Sequence, residues 1–254
     1  MAFLYLRREI IGHAKAVLLD KDGTISYSQP NIEILAHLRI FHCQQSVTRK
    51  QRHKLKQLLS TAYGLCQMEV IPMSAIAVAS RHHNLISTTT AFCQIGTSWS
   101  HALKESSTIF QLTDKYHRDA SHFVDNTTGL ILPWIKSLHN QGIICGVISN
   151  DTKTAIWQFL RHHELDSFVR IVWSANQQPS KPDPKILYHI CDILQLQPVE
   201  CAVISDADTD LYMAEKAGIG LVLGYTGGWT TKNILHFGSY QFDDWSELEV
   251  IDDL

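Results

Sequence analysis

Residues 16–24 read AVLLDKDGT, and the interpretation of the whole sequence starts from this stretch. The four apolar residues predict a short buried strand, and Asp20 and Asp22 follow at its carboxyl end, where open α/β sheets bind ligands. Carboxylates beside an apolar strand are costly unless a cation or hydrogen bonds compensate them. Gly23 permits a tight turn whose amides can face an anion. A solvated Asp-Gly turn is the alternative interpretation of this stretch alone.

Four further apolar runs predict strands of the same buried parallel sheet. They lie at residues 143–148, 169–173, 202–204 and 221–224. Helix-length segments separate the later runs, at residues 152–163, 185–194 and 209–217. Alternation of strand and helix is typical of an α/β domain with a doubly wound parallel sheet.

The connection between the first two predicted strands is unusually long. About a hundred residues separate them, far more than a crossover needs. We therefore predict a domain at residues 26–126, inserted into an α/β core that consists of residues 1–25 and 127–254. Residues 31–43, 47–59 and 98–117 have helical spacing or length, and no strand alternation stands out, so the insert is expected to be helical.

Composition excludes several classes of protein. A hydrophobic content of 45% with 19% charged residues is typical of globular domains, and a formal net charge of -3 offers no basic surface for nucleic acid. No apolar run approaches the roughly eighteen residues that span a membrane, and the short apolar start has the wrong charge order for a signal peptide. Six cysteines without a C-x-x-C pair favour free thiols. We expect a cytoplasmic protein without nucleic-acid or membrane partners.

Polar residues also follow the later predicted strands. Ser149 and Asn150 suit phosphate oxygens, although a helix N-cap is the commoner meaning of such a pair. Lys181 lies in a proline-rich loop, where the alternative is an exposed lysine before a helix. Asp206 and Asp210 are four residues apart and can meet at a helix entrance, where acids also act as ordinary stabilisers. Because these strand ends meet at one edge of the sheet, their oxygen ligands together suit Mg²⁺.

These motifs, in this order, resemble the four motifs of the haloacid dehalogenase-like superfamily, and the resemblance covers essentially the whole chain. Residues 20–24 are similar to the first motif, Ser149 to the second, Lys181 to the third, and Asp206 with Asp210 to the fourth. Further similar stretches are Pro133-Trp134-Ile135, Lys181-Pro182-Asp183-Pro184, Met213-Ala214 with Ala217-Gly218, and Thr226-Gly227-Gly228-Trp229. The insert lies between the first two motifs, as in members with a helical cap such as phosphoglycolate phosphatases.

The resemblance implies a Rossmann-like core and the Mg²⁺-dependent hydrolysis of a small phosphate monoester, with 2-phosphoglycolate as one candidate. It implies that Asp20 is the nucleophile that becomes an aspartyl phosphate, and that Asp22 is the general acid and base. Lys181 would bind Asp20 and the phosphate, while Ser149 and the amide of Asn150 would hold other phosphate oxygens. The implied metal ligands are the Asp20 carboxylate, the Asp22 backbone carbonyl, Asp206 and Asp210.

Three alternatives compete with this hypothesis. Dehalogenases lack the second acid of the first motif, so Asp22 argues against that activity. A phosphomutase shares the core and differs in its cap residues and in retaining the phosphoryl group. A binding protein without enzymatic activity, built on the same scaffold, is the third. The sequence assigns no substrate, no oligomeric state and no role to the residues before the first predicted strand.

Overall fold

The computed structural model of the chain describes residues 2–67, 69–120 and 125–251. The chain divides into two compact units. The core unit consists of Met1–Ser28 and Asp125–Leu254, and the insert unit consists of Gln29–Val124. Residues 1, 68, 121–124 and 252–254 of the predicted core and insert lie outside the described residues.

Strands and helices alternate through most of the core unit, whereas helices dominate the insert unit. The strands of the described residues are β1 (Phe3–Leu6), β2 (Glu9–His13), β3 (Ala16–Asp20), β4 (Ser26–Tyr27), β5 (Leu65–Cys66), β6 (Glu69–Val70), β7 (Asn126–Thr127), β8 (Ile144–Ile148), β9 (Val169–Trp173), β10 (Cys201–Ser205), β11 (Leu221–Tyr225), β12 (Tyr240–Phe242) and β13 (Leu248–Ile251). The α-helices are α1 (Gln29–Gln45), α2 (Arg49–Tyr63), α3 (Ala75–Val78), α4 (Arg81–Gln94), α5 (Trp99–Ala120), α6 (Ile131–Asn140), α7 (Lys153–His162), α8 (Lys185–Leu194) and α9 (Asp208–Lys216).

A six-stranded sheet forms the centre of the core unit. Its spatial order is β12-β11-β10-β3-β8-β9, and all neighbouring strands are parallel. The four apolar residues of β3 are fully buried, as expected for a parallel sheet with both faces covered. The predicted doubly wound α/β fold is therefore confirmed. Because the chain continues from β3 to β8 on one side and later returns to β10 on the other, the carboxyl end of β3 is the topological switch point.

All five predicted core strands are present, and their ends differ by at most one residue from the predicted bounds. The edge strand β12 was not predicted. A second sheet, of antiparallel strands in the order β13-β1-β2, includes the residues to which the sequence assigned no role. In β1, the buried Leu4 and Leu6 alternate with half-buried aromatic residues, so one face of this strand is packed in the interior.

In the insert unit, α1 packs against α2 and α5, and α4 packs against the same two helices, so the four long helices form a bundle. Its interior contains Leu55, Leu59, Tyr63, Phe92 and Phe110, all fully buried. The three predicted insert helices correspond to α1, α2 and α5, whereas α4 and the short hairpin β5–β6 were not predicted. The chain leaves and re-enters the core unit next to the paired strands β4 and β7.

Two further observations concern membrane-spanning helices and the state of the cysteines. Among the described residues, no helix is long and apolar enough to cross a membrane. All six cysteines are free thiols, as predicted, although the Sγ atoms of Cys191 and Cys201 lie 3.7 Å apart in the interior.

Candidate active site

The central strand β3 places Asp20 at the switch point of the sheet. Asp20 is the last residue of β3 and pairs in register with Ile148, the last residue of β8. Ser149 therefore follows directly after the residue that pairs with Asp20. On the other side of β3, β10 ends at Ser205, and Asp206 follows directly. Parallel strands therefore bring the first, second and fourth motifs to the same edge of the sheet.

A buried lysine joins two of the predicted carboxylates. The Nζ atom of Lys181 donates to Asp20 Oδ1 at 2.5 Å and to Asp210 Oδ2 at 2.6 Å. Ser205 Oγ donates to the same Asp210 oxygen at 3.1 Å. Burial by itself would lower the pKa of Lys181, but the two carboxylates outweigh it and raise the pKa above its ordinary value. Lys181 is thus a permanent cation that holds Asp20 in place.

Asp206 is fixed by bonds at both carboxylate oxygens and at its backbone. Thr24 Oγ1 donates to Asp206 Oδ1 at 3.1 Å and accepts from the Asp206 amide at 3.0 Å. Trp229 Nε1 donates to Oδ2 at 2.7 Å, and Asn233 Nδ2 donates to the backbone carbonyl at 2.5 Å. In the sequence, Trp229 belongs to a stretch that resembles the family, but no role was predicted for it. Asn233 was not predicted at all, because it follows β11 in a loop without a distinctive pattern.

Gly23 allows Asp206 to approach the first motif this closely. It has a φ of +75°, and a Cβ atom at this position would overlap Asp206 Oδ2 and crowd Trp229 Nε1. Gly228 packs against the backbone of Gly23 in the same way. Close packing therefore requires both glycines, and the positive φ of Gly23 requires a glycine at that position for turn geometry as well.

Asp20 and Asp206 are neighbouring acids in a buried place. The pKa of Asp20 is raised to about 6: burial is the main cause, the charge of Lys181 opposes it, and the nearby carboxylates of Asp210 and Asp22 add to it. Burial also raises the pKa of Asp206 well above its ordinary value, and Asp20 adds to this effect. Two close carboxylates repel each other when both are ionised, and a bound cation relieves that repulsion.

The donor set fits a hard divalent cation. Mg²⁺ is usually held by one or two carboxylates together with water and substrate phosphate, and the Asp20–Asp206 pair supplies two. In the part of the chain that the structure describes, no three His, Cys, Asp or Glu side chains are grouped to hold a metal by themselves. Asp210 bonds to Lys181 and Ser205, so its role as a metal ligand stays a prediction.

Asp22 has surroundings of its own. Its Oδ1 atom accepts from Lys21 Nζ at 2.5 Å and from Ser28 Oγ at 2.6 Å. Burial would raise the pKa of Asp22, but the Lys21 charge and the hydrogen bonds outweigh burial and lower it. Lys21 is itself buried, and its Nζ lies 3.5 Å from Asp151 Oδ2. Sequence reasoning did not assign a role to Lys21 or Ser28.

The second motif follows β8 directly. The Ser149 amide donates to the Trp173 carbonyl at 2.9 Å, and Ser149 Oγ accepts from the Asp151 amide at 3.0 Å. A hydroxyl has a proton besides its lone pairs, so Ser149 can still donate to a phosphate oxygen. Asn150 lies between these residues on the same turn. The structure thus brings every predicted site residue to the carboxyl edge of the sheet around β3.

The fold and the site together define an α/β domain with an acidic centre at its switch point. The chain belongs to the haloacid dehalogenase-like hydrolase family, whose model matches residues 14–218. The matched range includes all four motifs and the insert unit, and it extends past α9 to Gly218.

Curated relatives match shorter parts of the chain. The phosphoglycolate phosphatase of Vibrio vulnificus (strain YJ016) is 25% identical over 122 residues, which are 46% of this chain and 54% of the relative. The N-acylneuraminate-9-phosphatase of Rattus norvegicus is 40% identical over 53 residues, which are 20% and 21% of the two chains. The chain therefore spans about half, or less, of the length of these relatives.

Solved structures match over nearly the whole chain. A crystal structure described as a predicted phosphoglycolate phosphatase from Haemophilus somnus 129PT has a TM-score of 0.69. The match covers 93% of this chain and 97% of that chain at 16% identity. At this identity the likeness shows the shared fold.

Proposed function

We propose that this protein is a Mg²⁺-dependent phosphatase that hydrolyses a small phosphate monoester through an aspartyl phosphate on Asp20. The observation on which this rests is the Asp20 carboxylate at the end of β3, which is 11% exposed, held by Lys181 and placed beside Asp206. Membership of a hydrolase family and relatives named as phosphatases support the reaction class.

Each residue of the site has a defined task in this reaction. Asp20 attacks phosphorus, so an Asp20 oxygen–phosphorus bond forms while the bond to the ester oxygen breaks. Asp22 gives a proton to the departing alkoxide and then takes one from the water that hydrolyses the aspartyl phosphate. Inorganic phosphate leaves and Asp20 is regenerated. Lys181 keeps the anionic nucleophile and the anionic substrate together, while Ser149 and the Asn150 amide hold the remaining phosphate oxygens.

Mg²⁺ would be held by the carboxylates of Asp20 and Asp206 and the backbone carbonyl of Asp22, with Asp210 acting directly or through water. When bound, it supplies positive charge that neutralises the transferred phosphoryl group. Thr24 and Trp229 orient Asp206 toward this task through their hydrogen bonds.

The partner in this proposal is a small phosphorylated metabolite, with 2-phosphoglycolate as the first candidate because several relatives are phosphoglycolate phosphatases. The insert, residues 26–126, is proposed as the cap that recognises the organic part of the substrate. The free thiols fit a reducing, cytoplasmic compartment.

The test is release of inorganic phosphate by the purified chain with Mg²⁺. Substrates are p-nitrophenyl phosphate and a panel of metabolite monoesters that includes 2-phosphoglycolate and N-acylneuraminate 9-phosphate. Activity that EDTA removes and Mg²⁺ restores is the expected result. A phosphomutase would convert a substrate without net phosphate release, and a binding protein would retain a ligand without turnover. Either outcome would overturn the proposal.

A further inference from the structure

Lys21, between the two acids of the first motif, is buried and contacts two carboxylates and an aromatic ring. The Lys21 side chain is 6% exposed, and its Nζ lies 2.5 Å from Asp22 Oδ1 and 3.5 Å from Asp151 Oδ2. The same atom is 5.4 Å from the centre of the Phe159 ring. Burial of a cation is costly, so a lysine in this place needs its anionic partners.

The backbone of Lys21 is as firmly held as its side chain. Its carbonyl accepts from the amides of Thr24, Ile25 and Ser26 at 3.3, 3.0 and 2.9 Å. These bonds form the turn that follows the nucleophile Asp20. Hydrogen bonds thus hold the Lys21 backbone at one end of the residue, and the ion pair with Asp22 holds the ammonium group at the other.

Within the part of the chain that the structure describes, the Asp22 carboxylate accepts two side-chain hydrogen bonds, and both go to the same oxygen. Lys21 Nζ and Ser28 Oγ donate to Oδ1, at 2.5 and 2.6 Å. Ser28 is in turn bonded to Ser26 Oγ at 2.7 Å, and both serines are buried. Two donors on one oxygen fix the plane and direction of a carboxylate, so they determine where the second oxygen points.

From these contacts we infer that Lys21 is a positioning residue for the general acid and base of the proposed phosphatase. Together with Ser28 it holds Asp22 Oδ1, so that Oδ2 is presented to the leaving-group oxygen and later to the hydrolytic water. This inference rests on the proposed function. Lys21 does not bind the substrate phosphate, because its charge is already neutralised by Asp22 and Asp151, and Lys181 is the lysine at the nucleophile.

A positioning role has a kinetic signature that a purely structural ion pair lacks. An activated leaving group such as p-nitrophenolate departs without a proton, whereas an alkoxide needs one from Asp22. The ratio of kcat/KM for an alkyl phosphate to kcat/KM for p-nitrophenyl phosphate therefore reports the placement of Asp22. We use kcat/KM because it includes only the steps up to the first irreversible phosphoryl transfer.

The experiment compares Lys21→Met and Ser28→Ala with the wild type. Lys21→Met is expected to lower kcat/KM about 10- to 100-fold for the alkyl phosphate and less than about threefold for p-nitrophenyl phosphate. Ser28→Ala should shift the ratio in the same direction, by about three- to tenfold. The matched control is Lys15→Met: Lys15 precedes the other end of β3 and pairs with Glu200 at 2.6 Å. It should leave the ratio unchanged.

A double variant completes the test. If Lys21 acts through Asp22, then adding Lys21→Met to Asp22→Asn should lower kcat/KM for the alkyl phosphate no further than Asp22→Asn alone. The inference would be overturned by additive losses in the double variant, or by equal losses of kcat/KM for both substrates in Lys21→Met. Phosphate release by the wild type would still support the proposed function in either case.

Folding is checked by circular dichroism and thermal melting. If Lys21→Met does not fold, Ser28→Ala decides, and an unchanged ratio in that variant rejects the inference. A wild type that hydrolyses no phosphate monoester would overturn the proposed function, and the inference with it.

Discussion

At the scale of single residues, the ionised Asp20 carboxylate costs stability. Its pKa is raised from an ordinary value of 3.8 to about 6, mainly by burial, so the folded state binds this proton more tightly than the unfolded chain does. The protonated form is therefore favourable to folding, and that contribution is lost as the pH rises from about 4 through about 6. At neutral pH the shift corresponds to about 3 kcal/mol of lost stability.

We therefore predict that Asp20→Asn abolishes turnover yet stabilises the metal-free protein at pH 7.5, by up to about 3 kcal/mol, because an amide is neutral. Thermal melting in EDTA measures this change. The gain should shrink toward zero below pH 4, and Mg²⁺ should raise the melting temperature of the wild type more than that of the variant. Asp166→Asn, at an exposed position outside the site, is the control. A destabilised variant at pH 7.5 would contradict the prediction.

Trp229 is the second residue whose role can be isolated. Trp229→Phe keeps an aromatic ring but removes the bond from Nε1 to Asp206 Oδ2. Loss of a hydrogen bond that orients a metal ligand typically lowers metal affinity about 10- to 100-fold. We therefore expect the variant to need at least about tenfold more Mg²⁺ for half-maximal activity. Titration of activity with Mg²⁺ measures it.

The control for this variant is Trp134→Phe, which removes a buried indole N–H that has no hydrogen-bond partner within the described residues. It should leave the Mg²⁺ concentration for half-maximal activity unchanged. Equal behaviour of the two variants would show that Asp206 does not depend on Trp229.

At the scale of elements, the sequence predicts those strands and helices whose burial is continuous or periodic. The strand β3 follows from four consecutive apolar residues, and β8, β9, β10 and β11 follow in the same way. The edge strand β12 has only three residues and one fully buried side chain, Phe242, so no apolar run in the sequence predicts it. The helix α4 is rich in threonine, a residue type that favours strands and turns.

The structure shows how α4 tolerates its threonines. Thr88 and Thr89 are buried, and their hydroxyls donate to the carbonyls of Asn84 and Leu85, four residues earlier, at 2.8 and 2.9 Å. Thr88 Oγ1 also bonds to Tyr63 Oη at 2.6 Å, which connects α4 to α2. Hydrogen bonds within the helix thus satisfy polar groups that the apolar pattern cannot explain.

This connection can be tested by matched substitutions. Thr88→Val keeps the shape of the side chain but leaves the buried Tyr63 hydroxyl without this bond, and it should destabilise the insert unit by about 1–3 kcal/mol. Thr90→Val removes only a bond to the Ile86 carbonyl at an exposed position and should change stability by less than about 0.5 kcal/mol. Urea unfolding followed by circular dichroism measures both. Equal effects would contradict the role of the Thr88–Tyr63 bond.

Some residues of the candidate site can be predicted from a sequence pattern, and others cannot. Asp20, Asp206 and Lys181 stand at strand ends or in a rigid loop, where residue type and order indicate chemistry. The supporting groups, such as Trp229 and Asn233, reach Asp206 from 23 and 27 residues further along the chain. Their spacing depends on the course of the loop after β11, which no local periodicity determines.

At the scale of the whole molecule, the two units differ in charge. Residues 29–124 contain ten Lys and Arg against five Asp and Glu, a formal charge of +5, whereas the rest of the chain carries a formal charge of -8. In the proposed function, an anionic substrate would bind to this acidic core site with the help of two cations, Lys181 and Mg²⁺. The net positive charge of the insert unit favours phosphorylated molecules in general, which is consistent with a role in binding the proposed substrate.

We predict on this basis that the insert sets substrate preference. In the proposed reaction the core residues bind the phosphoryl group and act on the ester oxygen, which all monoesters share, so they do not recognise the organic part of the substrate. Residues 29–124 are exchanged for the helical insert of a related phosphatase, and the paired strands β4 and β7 are kept so that the core unit retains its own residues. The preferred substrate in a metabolite panel should then follow the insert, and Asp20→Asn should still abolish turnover in the chimera.

The chimera distinguishes this role from a structural one. An insert that only stabilises the core, or mediates dimerisation, would give a folded and active chimera whose ranking of substrates matches the wild type. Thermal melting and gel filtration of both proteins establish that folding and assembly are comparable. An unchanged ranking under those conditions would assign discrimination to the core unit, and a changed ranking that still requires Asp20 would assign chemistry to the core and selection to the insert.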